Sequence, residues 1–209
     1  MTTTLISELN SDYPVAQAGL AVLLGRGVLS AAEIDEVLAL KNTLIISDFL
    51  EQYRHFSKEN FLAINKYIVR NLSNRNRLFV SDLVECADDW NMELPYMKCV
   101  KCLSKFKGDH TFVQLAMLDY VFNNLKMSYL DEITNALDGI LSNSECNQSV
   151  QVKAAFYIFR ITHKKKYLND LLDLVVNGDD NKELMRNILS RKFNGSEYFE
   201  CHDLLMSVL

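Results

Sequence analysis

The stretch YIFRIT, residues 157–162, is the feature from which we predict the fold of this 209-residue chain. It resembles two earlier stretches, YIVRNL at residues 67–72 and YVFNNL at residues 120–125. Each closes a mostly apolar segment with helical spacing, and a second such segment follows after a short polar break. The second segments open on aromatic residues, at Phe79, Tyr129 and Tyr167. The chain is therefore predicted to contain three related helix pairs.

The composition favours an all-α fold. Hydrophobic residues make up 49% of the chain, which is enough for a sizeable core. Two prolines and seven glycines leave few residues for the many turns of a β-rich fold. We therefore expect a single α-helical repeat domain over residues 1–209, with irregular helices in residues 1–58. Clearer antiparallel helix pairs, joined by short breaks, are expected in residues 59–209.

Local signals predict several of the helix starts. Ser30 and Glu33 have the spacing of a capping box, and a further helix is expected from about Ser47. Ser128 is expected to cap the segment of residues 129–141, and Asn147 or Ser149 is expected to open the helix that ends at residue 162.

The spacing of the copies predicts the kind of array. Tyr157 follows Tyr120 by 37 residues, and Tyr167 follows Tyr129 by 38. Two-helix units of about this length are typical of HEAT and armadillo arrays. SVQVKAAFYIF, residues 149–159, is similar to the inner helix of a HEAT repeat, in which a valine, a basic residue and an alanine pair precede apolar residues. The resemblance implies a right-handed solenoid of stacked helix pairs, and an irregular helical bundle is the alternative.

Charge distinguishes the two helices of each pair. Within residues 78–90, 129–141 and 167–176, every charged residue is an aspartate or a glutamate. Aligning these segments on their leading aromatics places Asp82, Glu132 and Asp170 at one equivalent position. Carboxylates three residues apart share a helix face, so we predict an acidic ladder along one side of the array. The candidate partner-binding residues are Asp82, Glu85, Asp89, Asp131, Glu132, Asp138, Asp170 and Asp173.

The sequence carries no catalytic or metal-binding signature. Its four histidines are dispersed and belong to no recognisable triad. Cys99 and Cys102 have the spacing of only half a zinc site, with no second ligand pair. We therefore interpret the two thiols as packing groups, and we expect no enzymatic activity, no catalytic residue, no metal and no small-molecule cofactor.

Charge and cysteine content bear on compartment and partners. Five irregularly spaced cysteines fit a reducing compartment, and no secretory signal or membrane span is recognisable. A cytoplasmic protein without membrane association is therefore expected. The formal net charge of -5 disfavours nucleic acid as a ligand, because such binding requires many cations against phosphates.

An acidic helical face suits a basic protein partner, because opposite charges speed encounter and select the partner. The small, acidic, all-helical character of the chain resembles the α-helical immunity proteins of bacterial contact-dependent and polymorphic toxin systems. This resemblance implies that a cognate toxin domain, for example a nuclease, is neutralised by occlusion of its active site. The alternatives are a merely solvated acidic face, a scaffold or regulatory subunit, and a helical-repeat DNA glycosylase. The glycosylase needs a basic, aromatic-lined surface, whereas the predicted face is acidic.

Overall fold

The protein is described from a computed structural model, which covers residues 6, 8–53, 57–103 and 110–190. Every regular element in these residues is a helix, so the predicted all-α class is confirmed. No helix in this part of the chain is both long and apolar enough to cross a membrane.

Contacts divide the chain into two compact units, Met1–Tyr96 and Met97–Leu209. Five helices of the first unit have both ends within the described residues: α1 (Tyr13–Leu24), α2 (Ala31–Leu38), α3 (Thr43–Gln52), α4 (Lys58–Asn71) and α5 (Arg77–Asp89). Helix α6 (Tyr96–Leu103) starts at the boundary. The second unit continues with α7 (Thr111–Asn123), a 3-10 turn (Met127–Tyr129), α8 (Leu130–Leu141), α9 (Gln148–Thr162), α10 (Lys165–Val176) and α11 (Asp179–Ser190).

Several helices begin where a side chain accepts a hydrogen bond from one of their first amides. Helix α3 starts before the predicted Ser47, because the Asn42 side chain accepts the amide N–H of Leu44 at 3.1 Å. Asn147 caps α9 by accepting the amide N–H of Ser149 at 2.8 Å, which confirms one of the two predicted starts. Local hydrogen bonding therefore fixes these starts more closely than apolar periodicity does.

Three further helix starts differ from the prediction. Helix α8 is preceded by a 3-10 turn and has no side-chain cap, so Ser128 does not cap it. Helices α5 and α10 begin earlier than predicted, at Arg77 and Lys165. Both helices therefore open on basic residues, and the purely acidic composition holds only for residues 78–90 and 167–176.

In the first unit, alternate helices pack against each other. Helix α3 contacts both α1 and α5, α2 contacts α4, and α4 contacts α5. A buried polar link joins the loop before α2 to α4. Tyr53 Oη accepts the amide N–H of Leu29 at 3.1 Å, and the Asn60 side chain donates to Leu29 O at 3.0 Å. Because buried polar groups are costly unless they are hydrogen-bonded, this link favours one arrangement of these segments.

Helix α9, which contains the YIFRIT stretch, lies at the centre of the second unit. It contacts α7, α8, α10 and α11. A helix that is apolar on nearly all sides is expected in a core rather than at a surface. Eight of its residues are buried: Val150, Val152, Lys153, Ala154, Ala155, Phe156, Tyr157 and Ile158.

A charged pair fixes α9 against α7. Lys153 Nζ lies 2.5 Å from Asp119 Oδ2, and the lysine side chain is only 8% exposed. The Tyr157 hydroxyl donates to Asp119 Oδ1 at 2.5 Å, and the Tyr157 ring stacks on Phe122 with centroids 4.0 Å apart. The aspartate therefore neutralises the buried ammonium and accepts the phenol at the same time.

We predict that Asp119→Ala destabilises the protein by about 3 to 5 kcal/mol, because it leaves the buried Lys153 ammonium without its carboxylate. Lys153→Met should cost clearly less. In that variant Asp119, whose side chain is 22% exposed, keeps the Tyr157 hydroxyl and contact with water. Urea unfolding followed by circular dichroism gives both values. Equal costs, or the reverse order, would show that the pair does not fix α9.

A capping box opens α2, as the sequence predicted. The amide N–H of Glu33 donates to Ser30 Oγ at 3.3 Å, and the amide N–H of Ser30 donates to Glu33 Oε2 at 2.8 Å. Arg26 Nη1 lies 2.9 Å from Glu33 Oε1. The hydrogen bonds from Ser30, together with the charge of Arg26, lower the pKa of Glu33 below its ordinary value of 4.5.

This lowered pKa predicts how the stability contributed by Glu33 depends on pH. The pKa of Glu33 is lower in the folded state than in the unfolded state. The Glu33 carboxylate therefore stabilises the protein at pH values above its unfolded-state pKa, and this stabilisation is lost as the pH falls through its folded-state pKa. Glu33→Gln should therefore lower the free energy of unfolding above about pH 5 and match the wild type in strong acid. The control Glu36→Gln makes the same change at an exposed residue of α2 outside the capping box and should lower the free energy of unfolding clearly less. Denaturant titrations over this pH range test the prediction.

Candidate functional site: two acidic grooves

The first acidic groove lies between α3 and α5 and has a volume of about 320 Å³. We call it the α3–α5 groove. Among the described residues that line it there is no lysine or arginine. Five of its lining residues carry carboxylates: Asp48, Glu51, Asp82, Glu85 and Asp89.

Direct packing of α3 on α5 brings these carboxylates together. Asp82, Glu85 and Asp89 were predicted from the sequence, whereas Asp48 and Glu51 of α3 were missed. The missed pair has a signal in the sequence, because residues three apart lie on one helix face. Which other helix that face meets is a tertiary feature, and no local pattern gives it.

Hydroxyl donors from a neighbouring helix hold two of the carboxylates in place. The Ser47 hydroxyl donates to Asp82 Oδ2 at 2.5 Å. The Tyr13 hydroxyl donates to Asp48 Oδ2 at 2.9 Å, and this hydrogen bond raises the pKa of Tyr13 because it stabilises the protonated phenol. These donors are neutral, so they orient the carboxylates without cancelling their charge.

Apolar groups also line the α3–α5 groove. Leu44 is 58% exposed, and Trp90, the only tryptophan of the chain, lies at the C-terminal end of α5. Aromatic and large aliphatic groups beside charged ones are typical of protein-binding surfaces. The groove therefore offers contacts both to cations and to an apolar side chain.

The second acidic groove lies in the other unit, has a volume of about 360 Å³, and is formed by residues of α8, α9 and α10. We call it the α8–α10 groove. It is lined by three of the predicted carboxylates, Asp138, Asp170 and Asp173. The Tyr167 hydroxyl donates to Asp138 at 2.8 Å, and its pKa is raised first by burial and then by this carboxylate. Lys166 also lines this groove, so its negative charge is partly balanced.

Asp131 and Glu132 line neither groove. Both are exposed in the first turn of α8, where negative charge is favourable beside the free amides of a helix start. The structure therefore places Asp138, rather than the predicted Glu132, with Asp170 in the α8–α10 groove. Aligning the two segments on Tyr129 and Tyr167 gave the wrong equivalent positions, because Tyr129 belongs to the 3-10 turn whereas Tyr167 lies within α10.

Cys99 and Cys102, which the sequence predicted to be packing groups rather than metal ligands, lie on α6. Cys99 is fully buried, and burial together with the neighbouring Cys102 raises the pKa of its thiol to about 12. Such a thiol stays protonated at neutral pH, and the thiolate is the form that binds metals and acts as a nucleophile. Within the described ranges, no group of three or more His, Cys, Asp or Glu side chains is placed to hold a metal ion.

Comparisons with protein-family models, curated proteins and solved structures found no match for this chain. The resemblances to HEAT arrays and to immunity proteins therefore stay predictions. The two grooves and the residues that line them are the features of the described chain that bear on its function.

The environment of Cys99 predicts an order of alkylation. Iodoacetamide at pH 8 should modify the partly exposed Cys102 well before Cys99, because the Cys99 thiol is both buried and protonated. In urea the two should react at similar rates. Mass spectrometry of the labelled peptides measures both rates, and early labelling of Cys99 in the folded protein would contradict this placement.

Proposed function

We propose that this protein is a protein-binding module whose α3–α5 groove binds a positively charged segment of a partner protein. One observation carries the proposal: five carboxylates from two helices line one groove, and no lysine or arginine lies among its described lining residues. Surface acids are usually interspersed with bases, which balance them. Here the described lining of the groove concentrates acidic side chains from two helices on one surface.

Clustered carboxylates favour the binding of a cationic ligand. Two like charges 4 Å apart repel by about 1 kcal/mol in water and by more near a protein surface. A lysine or arginine of a partner relieves this repulsion while it gains attraction to several carboxylates. Complementary charge also raises the rate of encounter and rejects partners of the wrong sign.

The apolar lining narrows the chemistry of the partner segment. Leu44 and Trp90 would receive an apolar side chain, while Glu51 and Asp89, both exposed, would pair with flanking bases. We therefore propose a segment in which basic residues flank a large apolar one. In the other unit, the α8–α10 groove is proposed, by itself, to be a second surface for basic groups.

The proposed architecture is the HEAT-like right-handed solenoid of antiparallel helix pairs that the sequence predicted. Its support is the packing of alternate helices within each unit, α1 on α3 and α3 on α5, then α7 on α9 and α9 on α11. Stacked helix pairs would produce such contacts, and stacked repeats commonly carry binding surfaces of this kind.

The specific form of the proposal is a cytoplasmic immunity protein that neutralises a bacterial nuclease toxin. A nuclease cleft is basic because it binds phosphates. Clustered carboxylates would mimic that charge and occlude the cleft, and the protein itself would need no catalytic group. A toxin gene beside the gene for this protein would support this form, whereas a housekeeping operon would favour a scaffold or regulatory subunit.

Charge reversal within the groove tests the proposal. We predict that Glu51→Lys with Asp89→Lys weakens binding of a fluorescein-labelled peptide of alternating lysine and leucine at least tenfold, about 1.4 kcal/mol. Both residues are exposed, so the variant should fold normally. Fluorescence anisotropy at low salt gives the affinity, which should fall as salt screens the charges.

The matched control is Glu36→Lys with Glu183→Lys. It changes net charge equally at two exposed residues that line neither acidic groove. It should change the affinity by no more than about twofold, because screening limits the effect of distant exposed charges. Equal loss in the two variants would mean that only net charge attracts the peptide, and the groove would then not be its site.

A further inference from the structure

The first unit contains another groove, which is lined by cationic side chains as well as by a carboxylate. It lies between α2 and α4, has a volume of about 570 Å³, and shares no helix with the α3–α5 groove. We call it the α2–α4 groove. Leu38 and Ala63 give it apolar walls, and Tyr67 adds a half-buried ring.

One face of α4 presents two cations to this groove. Leu62, Lys66 and Arg70 follow each other at intervals of four residues, so they lie in one row about 6 Å apart. All three are exposed, and Leu62 is 59% exposed. Neither Lys66 nor Arg70 makes a hydrogen bond or an ion pair with any residue that the structure describes.

The polar groups on the two sides of the α2–α4 groove differ in charge. Asp35 of α2 is a carboxylate facing the same groove as the two cations of α4. Burial raises the pKa of Tyr67, so its hydroxyl stays protonated and able to donate a hydrogen bond. Anionic groups of a ligand are therefore favoured along α4, and donors such as backbone N–H groups are favoured towards α2.

We infer that the α2–α4 groove binds an acidic segment of a protein in an extended conformation. Two carboxylates would pair with Lys66 and Arg70, and an apolar side chain on the same face would contact Leu62. In an extended chain, alternate side chains share a face and lie about 6.6 to 6.8 Å apart. That spacing matches the row of Leu62, Lys66 and Arg70.

The charge of the groove argues for a peptide rather than a nucleic acid. Its described lining residues include two cations and the carboxylate of Asp35, and the chain carries a net charge of -5. A nucleic acid would place repeated phosphates against this carboxylate, whereas a peptide can place an N–H there. This inference goes beyond the proposed function, because it concerns a separate groove and a ligand of opposite charge.

The test uses a fluorescein-labelled peptide in which serine alternates with leucine, glutamate and glutamate. The wild type should bind it at low salt, and the peptide with glutamine in place of glutamate should bind at least tenfold more weakly. Lys66→Glu with Arg70→Glu should cause a similar loss. The control Lys164→Glu with Lys165→Glu makes the same charge change at exposed residues of the second unit and should stay within about twofold, because long-range effects are screened.

Four results would overturn the inference. They are no binding by the wild type, equal binding of the glutamine peptide, equal loss in the control variant, or tighter binding of a single-stranded oligonucleotide with the same number of charges. Circular dichroism confirms that each variant is folded. The Glu51→Lys with Asp89→Lys variant should keep its affinity for the acidic peptide, so failure of this inference and failure of the proposed function are distinguishable.

Discussion

Burial of α9 on nearly all sides is the constraint on which the second unit depends. A helix with alanines and branched or aromatic side chains around most of its surface must be covered, and α7, α8, α10 and α11 cover it. Lys153 is the one charged residue in its buried run, and its pairing with Asp119 sets the position of α9 on α7. Since α10 packs on α9, the same constraint positions Asp170 and Asp173 in the α8–α10 groove.

In the first unit, the packing contact of α3 with α5 also forms the groove that we propose as the binding site. Phe49 of α3 and Val84 of α5 are fully buried, and the acidic edges of both helices lie along one groove. Clustered carboxylates repel each other, while the neutral donors Ser47 and Tyr13 orient Asp82 and Asp48 without cancelling their charge. A fold that tolerates this repulsion, with no lysine or arginine among the described residues lining the groove, is the physical basis for proposing a basic partner.

The sequence predicted much of the fold, because helices leave local signals. Apolar periodicity identified the helical segments, and Ser30 and Asn147 marked two starts through capping chemistry. The site was predicted less completely. Asp48 and Glu51 were missed, because the pairing of alternate helices is decided by packing over long sequence separations, and the 3-10 turn before α8 shifted the register that had placed Glu132 with Asp170.

The most direct measurement of the central claim uses Trp90, the single tryptophan, which lines the α3–α5 groove. The indole N–H resonance of ¹⁵N-labelled protein can be followed while an unlabelled lysine–leucine peptide is added. We expect a saturable shift of this resonance. The shift should be half complete when the free peptide concentration equals the dissociation constant of the complex, and added salt should reverse it. Saturable binding of the peptide with the Trp90 resonance unmoved would place the basic ligand elsewhere and contradict the account.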